Sequence, residues 1–169
     1  MEACAVCGFV WDDVPAEEVV PRSSAAALAI AAQLDAAGAV TTQRPAPDRW
    51  SMLEYGGHVR DVILNLRERI ILGAVEDNPV PKPMYGTARV DLGLYAADAP
   101  DVVADELAIA ADLFARTFAA LTPEQLARPI FYGWPEAATR TLLWVAAQTV
   151  HEAEHHLGDV VDDRRLLTS

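Results

Sequence analysis

Three of the chain's four histidines and two carboxylates fall within six consecutive residues, His151-Glu152-Ala153-Glu154-His155-His156. The fourth histidine, His58, lies far away in Glu54-Tyr-Gly-Gly-His58-Val-Arg-Asp61. Imidazoles and carboxylates are the ligands of divalent transition ions, and side chains four apart on a helix stand on one face, one turn above the other. Glu152 and His156 have that spacing; so do His151 and His155. Either pair could grip one ion, with His58 completing a facial triad. Two imidazoles and one carboxylate, with the remaining positions left to solvent, is the ligand set of a catalytic rather than a structural site.

For such a triad to exist, two helices must meet across a core. Gly, Pro and polar turns divide the chain into four helix-like blocks. The first is about Ser23 to Ala37, rich in alanine and stopped at Gly38. The second opens at Ser51, where Ser-Met-Leu-Glu54 has the form of a capping box, and runs to about Ala74. The third is about Asp98 to Leu121, with Pro100 admissible in its first turn, and the fourth about Thr139 to Arg164. Four periodic apolar blocks without alternating strand patterns predict an all-α fold, an antiparallel four-helix bundle with no sheet of consequence. The domain division expected is an N-terminal CxxC-containing segment, residues 1–22, and a bundle, residues 23–169.

Helical phase then orients the candidates. In the last block Leu142, Ala146, Val150, Ala153, Leu157 and Val160 form the inward stripe. His156 lies roughly 90° and Glu152 about 130° from its centre, with His151 and His155 about 130° and 170° away. In the second block Val59, Val62, Ile63, Leu66 and Ile70 face inward and His58 sits about 100° off, on the margin. A ligand must reach across to its partner helix, which favours Glu152 and His156 with His58 and turns His155 toward solvent.

Two connections are long for a bundle. The second contains Asn78-Pro-Val-Pro-Lys-Pro-Met-Tyr85-Gly-Thr-Ala-Arg89, whose prolines forbid a regular helix. It reads either as a strap over the bundle or as a substrate lid offering Met84, Tyr85 and Arg89. The third, Pro129-Ile-Phe-Tyr-Gly-Trp134-Pro, either plugs the bundle end or walls a pocket with Phe131, Tyr132 and Trp134. Arg60, Arg67 and Arg69 read as surface charges. Cys4 and Cys7 make a single CxxC, half of a zinc knuckle in a chain with no other cysteine. Free thiols, a metal or disulfide role completed from elsewhere, and redox function all stay open.

Composition limits the partners. A formal net charge of −12 without any run of Lys or Arg argues against nucleic acid. The start, Met-Glu-Ala-Cys-Ala-Val-Cys, lacks the basic flank of a leader, and no segment reads as the roughly 20 apolar residues of a membrane span, so a cytoplasmic location without membrane attachment is expected.

Arg44-Pro-Ala-Pro-Asp-Arg-Trp-Ser51-Met-Leu-Glu-Tyr-Gly-Gly-His58 resembles the second-helix entry of the DinB-like superfamily, and His151-Glu-Ala-Glu-His-His156-Leu-Gly-Asp159 resembles its last helix. Glu152, His156 four later and Asp159 three beyond are similar to the pattern of the mycothiol-dependent maleylpyruvate isomerases. The resemblance implies an up-down-down-up bundle holding zinc or nickel with one ligand from the second helix and two from the last: His58, Glu152 and His156, or His151 and His155 in the alternative register. It also implies thiol chemistry: S-transfer from a low-molecular-weight thiol, mycothiol for an Ala-, Asp- and Arg-rich actinobacterial chain, to a small electrophile. A divalent cation lowers the thiol pKa from its ordinary value of about 8.5. The same open position could serve a hydrolase or isomerase, and a non-enzymatic small-molecule-binding bundle is the third reading. If a thiol binds, Asp61 and Asn65, one and two turns beyond His58, are candidate contacts beside Tyr85 and Trp134; Asp61 and Asn65 could equally orient His58 or simply meet solvent. A homodimer is the one self-assembly allowed for.

Overall fold

The computed structural model describes residues 2–169. Four long helices, α1 (Ala16–Ala37), α2 (Met52–Val75), α4 (Pro100–Ala119) and α6 (Leu142–Thr168), form a four-helix bundle. Two short helices, α3 (Gly86–Asp91) and α5 (Pro123–Leu126), lie in the connections. Both α1 and α2 pack against α4 and α6, which sets the first two helices on one diagonal and the last two on the other. The core is built from the predicted stripes: Val59, Val62, Ile63, Leu66 and Ile70 of α2 meet Leu142, Ala146, Val150, Ala153 and Val160 of α6, all buried.

The termini follow local chemistry. The Ser51 hydroxyl accepts from the Glu54 N–H while the Glu54 carboxylate accepts from the Ser51 N–H, closing the expected capping box at the start of α2. Pro100 opens α4, where its missing N–H is not needed. Helix α1 begins at Ala16, seven residues before the expected start. At Ser23 the helix is already under way, and Pro21 sits in its second turn at the loss of one hydrogen bond.

Two further expectations are corrected. Residues 139–141, read as the start of the last helix, instead end strand β2 (Ala138–Thr141), which pairs antiparallel with β1 (Pro129–Tyr132). Four-residue strands are too short to show a period-2 pattern, and Thr141 still caps α6 by accepting from the Trp144 N–H. Also, α1 with the turn after it, Ala16–Thr42, is long and apolar enough by length and composition to cross a bilayer. Its alanines serve a different purpose here, since Ala26, Ala27, Ile30, Ala31 and Leu34 form one wall of the core.

The Gly56-Gly57 pair in α2 would ordinarily weaken a helix by about 1 kcal/mol per residue relative to Ala. Both are needed for close approach: a Cβ on Gly57 would stand 2.8 Å from the Tyr95 ring, and one on Gly56 2.9 Å from Leu34 Cδ1. This lets α2 settle deeply beside its neighbours immediately before His58. Ser51→Ala, which opens the capping box without touching the core, is expected to lower unfolding free energy by about 1 kcal/mol. Urea titration followed by circular dichroism measures it, and an unchanged midpoint would remove the cap from the account of α2.

Candidate metal centre and its cavity

Glu152, on α6, is the meeting point of the site. Its Oε2 faces two imidazole nitrogens, His156 Nε2 at 3.4 Å and His58 Nε2 at 3.6 Å. The ligand atoms of His58, Glu152 and His156 all lie within 4.8 Å of one another, so the three groups could hold one ion between α2 and α6. The other carboxylate oxygen is committed: Glu152 Oε1 accepts from the Gln148 amide one turn earlier, and Gln148 Oε1 accepts from the Trp11 indole N–H. His156 Nδ1 is 2.9 Å from Asp159 Oδ2, which fixes the ring with Nε2 toward Glu152. A carboxylate behind a histidine in this way raises its basicity as a ligand. His58 Nδ1 is buried without a partner, and Gly86 lies against that ring edge; a Cβ there would stand 2.8 Å from His58 Cε1. Trp50 and Tyr55 cover the imidazoles from the outside, Trp50 5.2 Å from His58 and Tyr55 5.3 Å from His156 between ring centroids.

The donor set fits a divalent ion on its own electrostatics. Burial alone would raise the Glu152 carboxyl, but the imidazoles of His151, His156 and His58 grouped around it hold it well below the usual carboxylate range. Burial opposes charge on His156 as well, yet Asp159 and Glu152 lift it to about 9. Without metal, a proton between His156 and Glu152 provides the positive charge that the carboxylate requires.

The triad borders a cavity of about 780 Å³. Along α2 its wall is His58, Val62, Asn65, Leu66 and Arg69; the Val80–Thr87 connection and the β1–β2 hairpin with Phe131, Tyr132 and Trp134 supply the rest. Asn65, Tyr85 and Trp134 therefore stand where a ligand would meet them, and both long connections wall the pocket. Tyr85, at the rim, holds a left-handed backbone (φ 58°) that is costly for a bulky residue. Asp61 does not line the cavity: it accepts from Arg60, Arg89 and Tyr95, and so fastens the connection to α2. Arg60 is not a free surface charge but pairs with Asp61, Asp98 and Glu106. Arg69 lines the cavity with its guanidinium 4.9 Å from the centre of the Tyr132 ring.

The second register also departs from expectation. Phase turned His151 and His155 away from the core, yet His151 is only 2% exposed and His155 partly buried. The outer face of α6 is covered by segments remote in sequence: Phe9, Trp11 and Trp134 pack around the His151 ring. The same segment brings Cys4 and Cys7 to this pair. Gln148 and Trp11 were not singled out by sequence; Gln148 is one turn before Glu152, the spacing already used for His156.

A family model described as the DinB superfamily matches residues 22–160. No curated protein matches the sequence significantly. Among solved structures, YfiT from Bacillus subtilis, described as a probable metal-dependent hydrolase with an unusual four-helix bundle topology, superposes with TM-score 0.72 at 19% identity, covering 92% of this chain and 91% of that one. The mycothiol-dependent maleylpyruvate isomerase superposes with TM-score 0.66 at 14% identity, covering 90% of this chain and 63% of that one.

Two outcomes are expected of this geometry. Asp159→Asn keeps the shape but weakens the acceptor behind His156, and should cost about 10–100-fold in metal affinity by competition with a chelating dye; an unchanged affinity would make Asp159 a bystander. A metal must also displace the His156 proton, which the folded protein holds up to about pH 9. Affinity should therefore climb from pH 6.5 to 9, while the metal-free protein loses over the same span the stability its raised pKa confers. Calorimetry in buffers of different ionisation enthalpy should find about one proton released per ion at the triad at neutral pH; pH-independent binding would contradict the assignment.

Proposed function

Because this chain belongs to the DinB superfamily, we propose that it is a metal-dependent thiol S-transferase, joining a low-molecular-weight thiol such as mycothiol to a small electrophile. The observation that carries the reading is the content of the cavity: among the described residues Glu152 is the only carboxylate lining it. Glu152 is committed to the metal set, and the nearby Asn65 and Gln148 are amides that cannot accept a proton at neutral pH. Bound zinc or nickel, when present, would acidify either a thiol or a water, but a thiol, with an ordinary pKa of about 8.5, needs far less help than water to give its proton to solvent, and no free carboxylate stands by to assist a water.

The chain's own residues account for the rest. His58 and His156 supply neutral imidazole nitrogens from two helices, and Glu152 offsets part of the cation's charge. Val62, Leu66 and Phe131 offer apolar walls, and Arg69 and Lys82 offer cations for hydroxyl or carboxylate groups of a ligand. A volume of about 780 Å³ is more than one small electrophile needs and leaves room for a second, thiol-bearing molecule. Reduced access of water around the triad, under Trp50 and Tyr55, protects a thiolate from side reactions. The mycothiol-dependent isomerase among its structural neighbours makes mycothiol the first thiol to try, and the hydrolase description of YfiT makes thiol-independent hydrolysis the competing reading.

The metal-loaded protein is to be assayed for consumption of a bimane electrophile with mycothiol, with cysteine and with no thiol. Thiol-dependent conjugation that falls by about 100-fold or more in His58→Ala and Glu152→Ala is expected, the loss typical of removing a dominant electrostatic group. Turnover independent of thiol would favour the hydrolase instead, and turnover unaffected by either substitution would sink both.

A further inference from the structure

The outer face of α6 carries a group of side chains that the triad does not use. Cys4 and Cys7 stand on a tight turn that returns on itself: the Cys4 N–H donates to the Phe9 carbonyl at 2.8 Å, the Gly8 N–H donates to the Cys4 carbonyl at 2.9 Å, and Ala3 bridges to Val10. Gly8, directly after Cys7, has φ 73°, a conformation that favours glycine.

Opposite the turn stand His151 and His155, one helical turn apart on α6. One ligand atom from each of Cys4, Cys7, His151 and His155 falls within 4.8 Å of all the others. An independent sign points the same way: His151 is almost completely buried, yet neither of its ring nitrogens has a hydrogen-bond partner, Nδ1 standing 3.7 Å from Glu152 Oε1, and the buried Nδ1 of His155 has none either. Unsatisfied buried imidazole nitrogens are costly unless something fills the space they face. We infer that Cys4, Cys7, His151 and His155 form a second metal site, a closed four-ligand site for zinc, distinct from the open His58–Glu152–His156 site.

The chemistry of the donors separates the two sites. Two thiolates and two neutral imidazoles cancel the charge of a divalent zinc, and thiolate sulfur selects zinc over harder ions such as magnesium. As the metal–sulfur bonds form, each thiol gives its proton to solvent; no oxidant or reductant takes part. With four protein ligands no position remains for substrate, so the ion is a staple: it ties residues 3–10 to α6. Because Cys4 and Val6 line the cavity and Trp11 hydrogen-bonds Gln148 behind Glu152, the staple holds both a pocket wall and the support of the triad carboxylate.

The full-length protein, purified under reducing conditions, is expected to carry about two ions per chain. Replacement of zinc by cobalt should give the thiolate-to-cobalt charge-transfer band and the intense visible bands of a tetrahedral ion. The double variant Cys4→Ser, Cys7→Ser should lose that charge-transfer band and one ion while retaining the other. His58→Ala should do the reverse, keeping the band and losing the other ion, so failure of the triad and failure of the staple are read separately. Trypsin should cut the N-terminal segment faster after the staple ion is removed. Cobalt-loaded wild-type protein without a thiolate band, or a Cys4–Cys7 disulfide in the reduced preparation, would overturn the inference without recourse to any variant.

Discussion

An ionised carboxylate inside a helical bundle is a cost that neighbouring groups must offset, and Glu152 imposes that requirement on everything around it. Its side chain is 15% exposed, and an unpaired charge so placed would be strongly destabilising. Each part of the surroundings answers a specific oxygen. Gln148 occupies Oε1. His156 and His58 face Oε2. Behind them, Asp159 fixes the His156 ring and Trp11 fixes the Gln148 amide. Gly57, next to His58, lets the Tyr95 ring lie against α2, where Tyr95 also bonds Asp61. A proton held by His156 between Glu152 and Asp159 meets the charge requirement, and a divalent ion at the same place would meet it too.

The bundle supplies the ligands and other segments supply the enclosure. Helices α2 and α6 are rigid, so three donors can be held at fixed separations. The cavity above them is walled by the Val80–Thr87 connection, the β1–β2 hairpin and the N-terminal turn, none of which is a bundle helix. Asp61 joins these two layers. By accepting from Arg89 and Tyr95 it anchors the second connection to α2, so that Gly86 and Met84 stay against the site. Specificity for a ligand can then vary through loops while the ion-holding scaffold stays the same.

How much of this was legible in the sequence depends on whether the information was local. The Ser51–Glu54 cap, the place of Pro100 in the first turn of α4 and the inward stripes of α2 and α6 are short-range patterns, and the structure contains them. The approach of His58 to Glu152 and His156 followed from phase on two helices that pack together. His151 was misjudged because phase assumes that a helix has one buried face. Helix α6 has two, since a segment about 140 positions earlier returns to cover the other. Arg69 and Asn65 show a milder form of the same limit. They share a line with His58 at helical spacing, whereas Asp61, just as close in sequence, turns toward Arg89 instead. Which of them reaches a cavity is decided by where the connections run, and that is tertiary information.

The overlapping registers in His151-Glu152-Ala153-Glu154-His155-His156 follow from helix geometry. Consecutive residues are turned by about 100°, so the 152/156 pair opens toward His58 and the 151/155 pair toward Cys4 and Cys7, although both pairs border the same cavity. One pair looks toward α2 and the other toward the N-terminal turn. Choosing one register over the other treats the cluster as having a single partner. With partners in both directions, each pair has its own neighbours: the oxygen donor Glu152 meets His58, and the sulfurs of Cys4 and Cys7 meet His151 and His155. Under the functions proposed above, the first group would keep an open position toward the cavity and the second would be closed by its four ligands.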